Sequence, residues 1–231
     1  VAGSPYAIAQ GTLTADGNYT ISFTGNTLTI TPVSLFITAD AKTKTYGASD
    51  PAFTASYAGF VNGETPAVLG GTLTFARAPG ESVANYLITP SGLTSANYTV
   101  AFNTGTLSIT KAALSVTADA KTKTYGAADP ALTYTAIGFQ FSDNAGTVLT
   151  GALSRAAGES VAGSPYAIAQ GTLTADGNYA ISFTGNTLTI TPVVLSITAD
   201  AKTKTYGVAD PAFTASYSGF LNGETPAVLG G

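Results

Sequence analysis

The chain of 231 residues carries a formal net charge of −4, and only 10% of its residues are charged, well below the quarter usual in soluble domains. That balance leaves no basic footprint for nucleic acid. Cys, His, Met and Trp are all absent, which removes disulfides, thiolates, the usual general base and the usual transition-metal ligand; no catalytic, cofactor-binding or metal residue is assigned, and an enzyme is not expected.

From the N-terminus, Tyr19, Ile21 and Phe23 alternate with other residues and are followed, across Gly25 and Asn26, by Leu28 and Ile30. This is the period-2 pattern of two strands joined by a tight turn. Pro32, Val33 and Ser34 lead directly into residues 35–52, LFITADAKTKTYGASDPA. In the copy of this stretch that begins at Leu114, the apolar Leu114, Val116, Ala118 and Ala120 alternate with Ser115, Thr117, Asp119 and Lys121, as in a strand with one buried face. Tyr125 falls on the opposite parity, so the strand is expected to bulge or to change sheet partner between Ala120 and Tyr125. Residues 126–130, GAADP, read as a turn, and 131–139 as a strand rich in Thr and Tyr. In 61–71, VNGETPAVLGG, Asn62 or Thr65 is placed to cap one helical turn that starts near Pro66 and is ended by Gly70 and Gly71. Residues 72–77 then read as strand, 78–84 as loop, and 86–89 as a short strand stopped by Pro90, Ser91 and Gly92. Tyr98, Val100 and Phe102, the turn Asn103-Thr104-Gly105, and the returning Leu107 and Ile109 form the clearest hairpin pattern.

The stretch beginning at Leu35 is written again at Leu114 and Leu195; from 35 to 114 is 79 residues and from 114 to 195 is 81. Residues 1–33 recur at 161–193 with one change, Thr20 against Ala180. The chain is therefore divided into the C-terminal part of a B-type repeat (1–34), a complete A-type repeat (35–113), a complete B-type repeat (114–194) and the N-terminal part of an A-type repeat (195–231). The end fragments differ in type and lack the strand that residues 72–77 supply, so the chain reads as a window on a longer alternating array. Neighbouring repeats differ more than repeats two apart, which disfavours swapping between adjacent modules. The expected fold class is all-β: a tandem array of small six-strand modules, about 80 residues each, a size sufficient for a modest core. Linkers as short as Lys111-Ala112-Ala113 predict an extended rod, advancing roughly 35–40 Å per repeat at about 3.3 Å per strand residue.

TADAKTKTYG followed by DPA, then GTLTF or GALSR, GESV, and NYTVAFNTGTLSIT or NYAISFTGNTLTIT resembles the MBG domain of the YGX type, a tandem module of very large bacterial surface and secreted proteins, including filamentous-haemagglutinin-like adhesins. The resemblance spans essentially the whole chain. The family's Tyr-Gly corresponds to Tyr46-Gly47, Tyr125-Gly126 and Tyr206-Gly207. It implies an extracellular, mostly β stalk or adhesin segment, with no catalytic residue and no defined ligand. The charge-poor surface and the strict two-repeat alternation depart from the pattern and leave open a free stalk or lateral packing into a filament.

Several side chains invite a site reading. Lys42, Lys44, Lys121, Lys123, Lys202 and Lys204, beside Asp40, Asp119 and Asp200, form either a recurring ligand contact or, as favoured, a solvated edge strand protected against edge pairing. Lys44, Asn97 and Glu81 are the residue types of a Lys–Asn amide cross-link, disfavoured because such groups are rarely buried. Asp50, Asp129 and Asp210 are read as turn residues before Pro rather than calcium ligands. Tyr46, Tyr57 and Tyr98 are expected to be half-buried core rather than a sugar-stacking platform. The expected function is a non-enzymatic extracellular stalk or filament segment at the bacterial cell surface, with a multivalent glycan- or host-protein-binding module as the alternative. Expected partners are neighbouring repeats and, through lateral or end-to-end contact, other copies; no segment here is long and apolar enough for membrane insertion.

Overall fold

The parity break in the opening stretch of each complete repeat is a change of sheet. The computed structural model describes residues 1–230, which fall into two compact units, Val1–Lys111 and Ala112–Gly231. In the first unit β1 (Tyr6–Ile8) pairs antiparallel with β2 (Asn26–Leu28). β3 (Val33–Ala39), β4 (Lys42–Thr45) and β5 (Ala55–Ala58) follow, then a 3-10 turn at Pro66–Val68, β6 (Gly70–Arg77), β7 (Asn85–Thr94), β8 (Tyr98–Asn103) and β9 (Gly105–Thr110). β3 belongs to a three-stranded sheet of order β5-β3-β8, and β4 to a four-stranded sheet of order β4-β9-β7-β6. The opening strand expected as one piece is thus divided at Asp40 and Ala41. Its buried side chains are Leu35, Ile37 and Ala39 before the crossing, and Lys44 and Tyr46 after it.

The hairpin expected at residues 98–110 is not formed. β8 pairs with β3 and β9 with β4, both in parallel, and in one register: Val33 lies opposite Tyr98 and Thr45 opposite Thr110, 65 residues on in each case. The two segments run side by side and pass from one sheet to the other together. Thr104 alone separates β8 from β9, too little chain to reverse direction when hairpin loops need at least two residues. Gly105 fits the crossing because a Cβ there would lie 2.4 Å from the Ala39 carbonyl oxygen.

β7 runs through Pro90, Ser91 and Gly92 instead of stopping there. It faces β9 only over Asn85 to Ile88, and beyond that only β6 lies beside it. The missing Pro90 N–H therefore withholds nothing from β9. β6 likewise starts earlier than expected, at Gly70, with an irregular register between Gly71 and Thr74. Leu35, Ile37, Ile88, Tyr98, Leu107 and Ile109 from both sheets are buried, the arrangement of a two-layer β module.

The second unit repeats the plan. Its strands are β10 (Ala112–Ala118), β11 (Lys121–Thr124), β12 (Tyr134–Ile137), β13 (Leu149–Thr150), β14 (Ser154–Arg155), β15 (Tyr166–Ala169), β16 (Thr174–Ala175), β17 (Tyr179–Thr184) and β18 (Asn186–Thr191). The sheets are β12-β10-β17 and β11-β18-β15-β14, with β13 paired to β16 apart. The parallel register again holds across the crossing, Ala112 opposite Tyr179 and Thr124 opposite Thr191. Here the helical turn is α1 (Ala145–Val148), held by a capping box from Asn144 and Thr147. β19 (Ser196–Ala199) and β20 (Ala215–Ser218) complete the unit as one antiparallel pair. No helix among the described residues is long and apolar enough to cross a membrane.

Candidate functional site

Each complete repeat gathers four of its few charges into a closed ring. The alternation that buries Tyr46 puts Lys44 on the same face of β4, where its side chain is only 4% exposed. Its Nζ donates to Asp50 Oδ1 at 2.6 Å and to Glu81 Oε2 at 2.5 Å. Arg77 Nε donates to Asp50 Oδ2 at 2.6 Å, and its terminal nitrogen Nη2 pairs with Glu81 Oε1. Two cations and two carboxylates alternate around the ring, so every charge faces two of opposite sign. The ring joins β4, the following Asp-Pro turn, the end of β6 and the loop before β7.

The guanidinium is held on all sides. Arg77 Nη1 donates to the carbonyls of Ala78 (2.9 Å) and Gly80 (2.6 Å), and its carbon lies 5.3 Å from the centre of the Tyr86 ring, a cation–π distance. Gly80 has φ +129°, and a Cβ there would sit 2.4 Å from Tyr86 Cε1. The same ring recurs as Lys123, Asp129, Arg155 and Glu159, with Arg155 5.7 Å from the Tyr166 ring centre. Among the described residues 195–230 only the Lys204–Asp210 pair of the ring is present, and both side chains are exposed.

These contacts fix the protonation states. Hydrogen bonding from Lys44, ahead of that from Arg77, holds the Asp50 carboxyl below its ordinary value, and Lys44 does the same for Glu81. Asp129 is pushed down to about 2, first by its bond from Arg155 and then by that from Lys123. Burial acting alone would lower Lys44, but the bonds to Asp50 and Glu81 outweigh it and raise the amine; Lys123 is raised by Asp129 and Glu159. The ring therefore holds its amines protonated and its carboxyls ionised near neutral pH. It is chemically closed, and its effect is to fasten chain segments together.

The sequence expectations are met unevenly. β4 and β11 are edge strands as expected, but Lys44 and Lys123 are buried in ion pairs rather than solvated; the sheet change turns them inward. Lys42 and Lys121 are half-buried, and Lys202 and Lys204 are exposed. Asp50 and Asp129 do sit in turns, yet their carboxylates belong to the rings. Asp40 accepts from Thr54 Oγ1 at 2.6 Å and Ser56 Oγ at 2.5 Å, and Asp200 is held alike by Thr214 and Ser216. Asp119 accepts from the Thr133 hydroxyl, which in turn accepts from Lys121 Nζ at 2.7 Å.

Lys44 does meet Glu81, but its Nζ donates to Asp50 and Glu81 and not to Asn97, so the Lys–Asn pairing is not assembled. Tyr46 and Tyr98 are buried and Tyr57 is half-buried. Phe60 packs between Tyr57 and Tyr98, 6.0 and 5.5 Å centre to centre, which leaves no stacked platform of open ring faces. The rings themselves were missed in the sequence, although a signal exists: Lys and Asp six apart, then Arg and Glu four apart, occur in both complete repeats.

A family model described as MBG domain (YGX type) matches residues 35–108, 114–189 and 195–231. No curated protein matches the chain.

Proposed function

The chain belongs to the MBG domain family of the YGX type, a structural repeat, and from that premise we propose that it is the stalk of a bacterial surface adhesin, spacing a distal region from the cell. The observation that carries this reading is the closed ring: the densest chemistry of each complete repeat is spent on fastening its own segments. A stalk module needs a fold that holds without a ligand, and in a chain without cysteine the ring supplies a cross-brace where secreted modules often use a disulfide. Light scattering and small-angle X-ray scattering at micromolar concentration test the proposal. A stalk segment is monomeric and elongated. Concentration-dependent association into fibres would replace the stalk with a filament, and binding to a glycan array that grows with repeat number would replace it with a binding module.

A further inference from the structure

The Tyr-Gly pair that recurs in every repeat takes no part in the ring. In the second unit, Tyr125 comes directly after β11, and its backbone N–H donates to the Thr191 carbonyl at 2.9 Å. Its hydroxyl reaches out of the repeat and donates to Glu224 Oε1 at 2.6 Å, 99 residues further on. Gly126 lies beneath the same neighbour: it has φ +80°, and a Cβ on it would stand 2.6 Å from Leu221 Cδ1. Tyr125, Val161, Pro192, Val193, Leu221 and Glu224 line one apolar cavity between residues 114–194 and residues 195–230.

Glu224 belongs to LNGET, the counterpart of VNGET at 61–65. In the complete repeat that acid has another role: Glu64 Oε2 accepts the hydroxyl of Tyr98, the first residue of β8, while the Val61 N–H donates to the same hydroxyl at 3.2 Å. Asp143 holds Tyr179, the first residue of β17, in the same way at 2.6 Å. Glu64 accepts the tyrosine of its own repeat on one carboxylate oxygen and Glu224 accepts Tyr125 on one carboxylate oxygen, and the two equivalent oxygens of a carboxylate can take both hydroxyls at once.

We infer that the Tyr-Gly signature of a B-type repeat and the Asn-Gly-Glu turn of the A-type repeat after it form the joint between them, with one glutamate bridging two tyrosines, one from each repeat. The partner this surface fits is thus the next A-type repeat of the chain. Tyrosine supplies a rigid reach ending in a donor. Glycine supplies the turn and leaves room for the incoming Val61- or Leu221-type side chain. Glutamate supplies a second carboxylate oxygen as acceptor once its own tyrosine is bound.

Amide hydrogen exchange on the full chain tests the joint. Tyr125→Phe and Leu221→Ala are each expected to speed exchange in β19 and β20 about tenfold, the loss of one charge-assisted hydrogen bond or of a half-buried leucine contact, with β10 and β18 unchanged. Unchanged exchange in β19 and β20 for both variants overturns the proposal. The bridge is read in a chain extended past Gly231 by a second copy of residues 72–113, which adds a second Tyr98. There Tyr125→Phe and Phe at that added tyrosine are expected to combine non-additively in the exchange of the last repeat; strictly additive effects overturn the shared glutamate.

Discussion

Replacing Lys44 by Met separates a ring that braces the module from ion pairs that merely decorate it. The substitution keeps the length of the side chain and deletes two charge-assisted hydrogen bonds, each about 1.5–3 kcal/mol. Breaking a fully buried ion pair by removing one partner costs about 3–5 kcal/mol. Asp50 and Glu81 are 33% and 44% exposed and keep Arg77, so water and the guanidinium recover part of that loss. Removing the buried ammonium also relieves its desolvation. The net expectation is a destabilisation of about 1–3 kcal/mol, or about 4–8 °C in Tm for each kcal/mol in a domain of this size. Lys204→Met is the internal control, because Lys204 is 47% exposed and has only Asp210; its effect should stay within about 0.5 kcal/mol. Hydrogen exchange at Leu35, Ile37, Leu107 and Ile109 under denaturant reads the first complete repeat separately from the second. Equal effects of the two substitutions, or a more stable Lys44→Met protein, would refute the bracing argument.

Acid should undo the rings from the carboxylate side. The carboxyls of Asp50, Glu81, Asp129 and Glu159 are all lowered in the fold. Their contribution is complete above the unfolded values near 4 and fades as pH falls through the folded values, which for Asp129 is about 2. Urea midpoints should hold steady down to about pH 4.5 and fall steeply by pH 2; a flat profile across that window contradicts the protonation scheme. Lys44 and Lys123 are raised, so their contribution is complete below about pH 10.4 and is lost on further alkalisation. Gly158→Ala would put a Cβ 2.1 Å from Tyr166 Cε1 at φ +138°, and should cost about 1–3 kcal/mol or more from strain and overpacking, seen as lost protection in β15; wild-type protection there would show that the Arg155 clamp tolerates a side chain. Intact mass should equal the sequence mass, because Lys44 and Asp50 stay charged; a deficit of one water per complete repeat would reveal an amide bond between them.

Local pattern was a good guide to where strands lie and a poor guide to whom they pair with. Leu35, Ile37, Leu114 and Val116 fall on the buried face that alternation assigns, and the helical turn at Pro66 starts where the Thr-Pro signal places it. The parity of Tyr125 called for a bulge or a change of partner between Ala120 and Tyr125; a change of partner does occur, but at Asp119 and Ala120, just ahead of that span. The error at residues 98–110 has a plain cause: two alternating runs around Asn-Thr-Gly look alike whether the strands fold back on each other or each pairs with a distant strand. Parallel pairing of β3 with β8 depends on contacts 65 residues apart, and nothing local encodes it. The rings were hidden for the same reason, since Lys44 and Arg77 each carry ordinary surface sequence around them and are turned inward only by the sheet change and the end of β6.

The duplicated segment shows where the boundary lies. Residues 1–33 and 161–193 differ at one position, Thr20 against Ala180, and in both the pair equivalent to β15 and β18 forms, Tyr6 opposite Leu28 and Tyr166 opposite Leu188. That much is determined by the amino-acid sequence, because both members of the pair lie within the segment. In the second copy Tyr179–Thr184 is also a strand, against β10, and Ile168, Tyr179 and Leu188 are 2%, 2% and 0% exposed. In the first copy residues 19–24 form no strand, and Ile8, Tyr19 and Leu28 are 50%, 77% and 56% exposed. The alternation, turns and propensities are the same, but only the second copy has the parallel partner and the opposing sheet beside it. Whether an alternating run becomes a core strand is decided by the long-range neighbour that satisfies its backbone and covers its apolar face.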